Sequence, residues 1–402
     1  MKIYIFNTFA KDKSTGKITY GLYQYLRKQG HNVTLVYGQG NKYSEAGFYH
    51  TGNRLEKLCH IGFSRIFGLP GCLSTFSTNK LLRKIKQEQP DVVYLFNIHG
   101  YYLNEYKLLD YLKKNHIRTI YTMLDEYPFM GKCGFAMECE KYKTGCIQCE
   151  HIDRYPASLF FRTSSYLANK KKEMYAGFKE LTFVAIEYTL NRAKDSYILK
   201  GMNTSVADEA IDVRKYTPRN CASLRKKLGI PKGNKIIVCI AVYPSDRKGG
   251  QFFLEAAKRL ENRKDITFVH VGFGGDMSEC PSNYIPISYV TNQEELCEYY
   301  SLGDLFCFPS LSETIPSTCL EALSCGSPLL VFNISGMSYI ADNSCSYIVP
   351  PRDVDKMIEV IIACPFKNET IIETARSYAV KRYDNQLYFE KLEKLAHNTF
   401  AQ

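Results

Sequence analysis

The stretch from Leu305 to Phe332 limits the possible folds more than any other. Leu305-Phe-Cys-Phe308 is short, apolar and uncharged and runs into Pro309-Ser310, so it reads as a buried strand. Glu313 follows on a loop, and Pro316 with Ser317 or Thr318 starts a helix whose Leu320, Ala322 and Leu323 form an apolar side. Gly326 closes that helix, and Pro328-Leu-Leu-Val-Phe332 opens the next strand. A loop at the carboxyl end of a parallel strand, leading into a helix N-terminus, is where open α/β sheets bind ligands. Backbone N–H groups and the positive helix end favour phosphate there. Glu313 on the loop and Glu321 in the first turns of the helix would accept from hydroxyl groups, as on a sugar and a ribose. Thr318 and Glu321 also have the spacing of a capping box.

The same alternation of strand and helix signals fills both halves of the chain. Lys2 to Phe6 reads as a strand, Phe9 to Lys17 as a polar loop, and Ile18, Leu22, Tyr25 and Leu26 as one helix face ending at Gly30. Strands over Asn32–Tyr37, Asp91–Phe96 and Arg118–Tyr121 follow, with a helix from Leu103 to Lys114. The pattern restarts at Ile236–Ile240 and continues through a helix at Gly250–Leu260, a strand at Ile266–Val271 and helices at Gln293–Tyr300 and Asp353–Ile362. Alternation of this kind predicts parallel sheets covered on both faces, and hence two Rossmann-like, doubly wound α/β domains. The polar, proline-bearing run from Asp212 to Asn220 marks the linker. We place the domains at 1–210, with a cysteine-rich loop at 131–150, and at 211–384, with a last helix at 385–402 packing back on the first.

Charge and cysteine usage narrow the function. The net charge of +11 suits phosphate-rich ligands or an anionic membrane surface. No motif for reading nucleic acid accompanies it. Fifteen cysteines, odd in number and scattered through strands and helices, suit a reducing cytosol. No apolar run is long enough to span a bilayer, and no signal peptide is seen. We therefore expect a cytoplasmic protein with peripheral contact at the inner face of the membrane.

Further stretches carry chemistry. Asp246-Arg-Lys-Gly-Gly250 follows a strand and opens a helix; cations there are disfavoured by the helix dipole unless an anion sits among them, so Arg247 and Lys248 point to a diphosphate. Ser14-Thr-Gly16 is a small-residue loop after the first strand. Asn97-Ile-His-Gly-Tyr-Tyr-Leu-Asn104 puts His99 at the carboxyl end of a strand. Asp125 follows Leu124 in Met123-Leu-Asp-Glu126, and Gly274 lies in a glycine turn after a strand. Cys133, Cys139, Cys146 and Cys149 could form a structural zinc site; four sulfur ligands would leave no open position for catalysis.

Together these residues resemble the retaining GT-B glycosyltransferases of family 4 (group 1), and Asn97–Asn104, Ser14-Thr-Gly-Lys-Ile-Thr19, Gly30-His-Asn-Val33 and Lys143-Thr-Gly-Cys-Ile-Gln-Cys149 resemble its bacterial capsule, colanic-acid and exopolysaccharide subset. The resemblance implies two domains facing across a cleft. Glu313, with Thr314, Ile315 and Ser317, would hold the donor sugar and Glu321 the nucleotide ribose. Arg247, Lys248, Gly16 and Gly274 would line the rest of a UDP- or GDP-sugar site. His99 would contact the transferring sugar and Asp125 the acceptor side. Relatives usually have a His-Asp pair where this chain has Leu124-Asp125. The implied reaction is metal-independent, front-face transfer to a glycan or lipid-linked glycan, assisted by the leaving phosphate. The alternatives are a non-catalytic nucleotide-sugar-binding subunit and a GT-B epimerase.

Overall fold

A computed structural model describes residues 1–397. The chain divides into two compact units, Met1–Glu209 with Gln386–Gln402, and Ala210–Asn385.

The first unit is built on seven parallel strands: β1 (Lys2–Phe6), β2 (Asn32–Tyr37), β3 (Phe48–His50), β4 (Val92–Leu95), β5 (Arg118–Thr122), β6 (Leu181–Ala185) and β7 (Thr204–Val206). Their spatial order is β3-β2-β1-β4-β5-β6-β7. β1 and β4 are buried almost end to end, as strands covered on both faces must be. Tyr4, Phe6, Leu95, Tyr121 and Phe183 lie in one continuous apolar core. The helix Asn385–His397 packs on this unit: Tyr94 donates to Leu392 O (3.0 Å), Arg118 to Ala396 O (2.6 Å) and Tyr25 to Glu393 (2.8 Å). The last part of the helix expected over 385–402 lies outside the described residues.

The second unit has six parallel strands: β8 (Lys235–Tyr243), β9 (Ile266–Phe273), β10 (Tyr284–Ile287), β11 (Leu305–Phe308), β12 (Leu329–Phe332) and β13 (Ser346–Val349). They are ordered β10-β9-β8-β11-β12-β13. In each sheet the winding reverses once, between β1 and β4 and between β8 and β11. The carboxyl ends of strands flanking such a reversal are where open α/β sheets hold ligands.

One expectation is corrected. Residues 9–17 are not all loop: the helix Lys13–Lys28 already includes Gly16. A Cβ on Gly16 would lie 3.1 Å from the Lys11 backbone, so the missing side chain lets this turn sit against Phe9–Lys11. Thr19 Oγ1 bonds back to the Thr15 and Gly16 carbonyls, tying the early turn together. Among the described residues, no helix is long and apolar enough to cross a membrane.

Candidate active site

The reversal point of the second sheet gathers Arg247 and Lys248 from the loop after β8 and Glu313 from the loop after β11. Glu313 is 7% exposed. Its Oε1 takes Lys248 Nζ at 2.6 Å, Arg247 Nη1 at 2.7 Å and Ser310 Oγ at 3.2 Å. Burial pushes the carboxyl pKa up, but the two cations outweigh it, and Glu313 is held below the ordinary carboxylate range. Its backbone is fixed as firmly. Glu313 N–H donates to Ser335 Oγ (3.0 Å), and its carbonyl accepts from Gly336 N–H (2.9 Å). A Cβ on Gly336 would lie 1.5 Å from Thr314 O, so only glycine fits. Gly249 closes the other side: it has φ +75°, and a Cβ there would lie 1.8 Å from Pro309 O. Thr314 and Ile315 are buried beside Glu313, and Ser317 is the first residue of the helix Ser317–Ser324. Ser310, Ser335 and Gly336 were missed in the sequence reading. Their one signal is position, in loops that follow parallel strands.

Glu321 lies inside that helix. It accepts from Tyr300 Oη at 2.5 Å and also from Tyr216, and burial with the neighbouring carboxylate raises both phenols' pKa. The capping box is not formed. Pro316 is the cap residue, Thr318 is already within the helix, and its buried hydroxyl finds no partner among the described residues. Tyr243, the last residue of β8, stacks on Phe273 with centroids 5.1 Å apart. Gly274 N–H donates to the Tyr243 carbonyl (2.8 Å) at the end of β9.

In the first unit, His99 leaves the end of β4 and meets Asp125, which follows β5. His99 Nε2 lies 3.2 Å from Asp125 Oδ2, and the ring stacks on Tyr127 at 4.2 Å. Where the chain lacks an adjacent His-Asp pair, the fold supplies Asp125 with an imidazole from another strand. His99 Nδ1 is buried with no hydrogen-bond partner among the described residues, a state that costs free energy. Beneath it, Tyr127 Oη donates to Glu105 Oε1 (2.6 Å), and Lys171 Nζ sits 3.3 Å from the Tyr127 ring centroid. Burial drives the Glu105 carboxyl up and the Lys171 ammonium down to about 8. This support was not visible in the sequence.

The four cysteines of residues 131–150 do not make the expected tetrahedron. Among the described residues, the only group of three ligating side chains within 4.8 Å of one another is His31, Glu393 and His397. Burial pushes the Cys133 thiol up to about 12 and that of Cys146 to about 11. Protein contacts pin the loop. Glu126 accepts from Ala136 N–H (2.5 Å) and Arg192 Nε (2.8 Å), and Arg154 donates to Ala136 O (2.6 Å).

A family model described as Glycosyl transferases group 1 matches residues 234–364, and one described as Glycosyltransferase Family 4 matches residues 15–132. The putative colanic acid biosynthesis glycosyl transferase WcaC of Escherichia coli K12 is 22% identical over 383 residues, 90% of each chain. The UDP-Gal:alpha-D-GlcNAc-diphosphoundecaprenol alpha-1,3-galactosyltransferase of Escherichia coli is 28% identical over 173 residues, 40% of this chain and 45% of that one. Among solved structures, Anabaena Alr3699/HepE in complex with UDP-glucose matches with a TM-score of 0.64 at 14% identity, over 98% of both chains, a likeness of fold. With transferase models matching both units and a glycosyltransferase relative running nearly the whole length, the chain belongs to the GT-B glycosyltransferases of group 1 and family 4.

Proposed function

We propose that this glycosyltransferase moves a sugar, with retention, from a UDP- or GDP-sugar to a lipid-linked glycan of a bacterial surface polysaccharide. In this reading Ala210–Asn385 binds the donor and Met1–Glu209 serves the acceptor. The observation that carries it is the clasp of Lys248 and Arg247 on Glu313 at the reversal point of the second sheet. An incoming diphosphate takes over the two cations, supported by the first-turn N–H groups of Ser317–Ser324, and frees the carboxylate for the sugar hydroxyls. Glu321 takes the ribose hydroxyls. Transfer then proceeds as the diphosphate leaves, its charge stabilised by Lys248 and Arg247 without a divalent ion. We assign Gly274 to the donor side in the second unit, and His99, oriented by Asp125, with Gly16 to the sugar-transfer side of the first. The names of the relatives support the acceptor class: one is assigned to colanic acid biosynthesis and one acts on a sugar linked to diphosphoundecaprenol.

The test is a panel of UDP- and GDP-sugars offered with membranes carrying lipid-linked oligosaccharide. One donor should release nucleotide in step with glycan growth, and chelator should leave the rate unchanged. Tight nucleotide binding with no transfer to any acceptor would count against the proposal.

A further inference from the structure

The helix Arg54–Phe67 is turned inside out. Its buried residues are the polar His60 and Ser64, while Leu55, Leu58, Ile66 and Phe67 are exposed, Leu55 to 73%. Residues 55, 58, 62 and 66 fall on one helical stripe, so the apolar side faces outward. The inward face is tied down by polar contacts: His60 Nδ1 lies 2.9 Å from Ser74 Oγ, and its ring meets Tyr101 edge-on at 5.6 Å. Other apolar side chains extend the surface. Phe161 stacks on Phe67 at 5.7 Å, Phe160 is 71% exposed, and Phe76, at the start of the next helix, is 88% exposed. An apolar surface of this extent on a protein is an interaction surface.

The same segment is strongly basic. Residues 54–88 hold seven Lys and Arg against Glu56 and Glu88, a net +5 out of the chain's +11. Glu56 is spent on the backbone N–H groups of Phe76 and Ser77. A groove of ≈ 1040 Å³ beside the helix is lined by Leu55 and Phe76 together with Lys80 and Arg83, which suits an anionic headgroup above acyl chains. A neutral protein partner would leave these charges unmatched. The patch also borders the His99 site. His60 packs under Tyr101, two residues from His99, and Tyr155, edge-on to His99 at 6.1 Å, leads along the chain to Phe160 and Phe161.

We propose that the helix Arg54–Phe67, with Phe76 and Phe160, is the face by which this chain lies on an anionic bilayer, so that a lipid-borne acceptor reaches His99 from the membrane plane. This deepens the reading of a lipid-linked acceptor, but its test needs neither donor nor acceptor. The full chain is sedimented with phosphatidylcholine vesicles and with vesicles containing one-third phosphatidylglycerol. We expect at least about tenfold tighter binding to the anionic vesicles, weakened by salt. The exposed-site variant L55S/L58S/F160S should lose that binding about tenfold and keep nucleotide affinity. Equal binding to both vesicle types, no binding, or undiminished binding by the variant would overturn the proposal. So would a dimer that the variant converts to monomer, which would make the face a contact between copies.

Discussion

Replacing Glu313 by glutamine separates a carboxylate that works on the sugar from one that merely holds two cations in place. The substitution keeps shape and an acceptor oxygen and removes one charge. Lys248 and Arg247 are a quarter to a third exposed (29% and 25%) and can turn to water. The loss of two charge-assisted bonds, discounted for that exposure, should therefore cost only about 1–2 kcal/mol of stability. The cations also lose their competitor, so UDP should bind unchanged or about three- to tenfold tighter, the released charge being worth about 1 kcal/mol. Transfer should behave oppositely. If the carboxylate's bonds to sugar hydroxyls strengthen as the glycosidic bond breaks, kcat falls about 10²- to 10³-fold, or about 3–4 kcal/mol. Calorimetric titration with UDP and single-turnover transfer at saturating donor read the two effects separately. Transfer within about threefold of the parent, or UDP affinity collapsing together with thermal stability, would refute the assignment.

Three further outcomes follow. G336A drives a Cβ into the Thr314 carbonyl and should cost about 3 kcal/mol as well as displacing Glu313, read as a lowered Tm and lost transfer. His60 and His270, fully buried, have their pKa lowered from the ordinary 6.5 to about 4 by burial. The unfolded chain then binds more protons between those limits, so stability is complete above pH 6.5 and falls towards pH 4, by about 3 kcal/mol per histidine. Urea midpoints at pH 7 and pH 4.5 check this, and equal midpoints would contradict it. No three of the four cysteines of 131–150 bring their ligating atoms within 4.8 Å of one another among the described residues, which predicts less than one zinc per chain and a Tm unmoved by chelator; one tightly held zinc would show that the loop closes round a metal.

What the sequence revealed depended on how local each signal was. β11, its loop and the helix after it were readable because an apolar run, a Pro-Ser turn and a closing glycine occur within some twenty residues. The clasp was readable only as two separate hints: Lys248 and Glu313 stand 65 positions apart and meet because β8 and β11 are neighbours. The pairing of Tyr216 and Tyr300 with Glu321, and the stack of His99 on Tyr127, depend on tertiary placement in the same way. The helix Arg54–Phe67 escaped notice for a different reason. A pattern search takes the apolar stripe as the buried one, and here it is the polar residues that face the core. The helix start at Lys13 was missed because its first turn is polar, while the close packing of Gly16 on Phe9–Lys11 holds it.

The most direct measurement is a structure of the protein with a slowly hydrolysed nucleotide sugar bound. The account predicts the diphosphate on Lys248 Nζ and the Arg247 guanidinium, and Glu313 turned from those cations to the sugar hydroxyls. A donor bound elsewhere, or a diphosphate that leaves Lys248 and Arg247 still closed on Glu313, would contradict it.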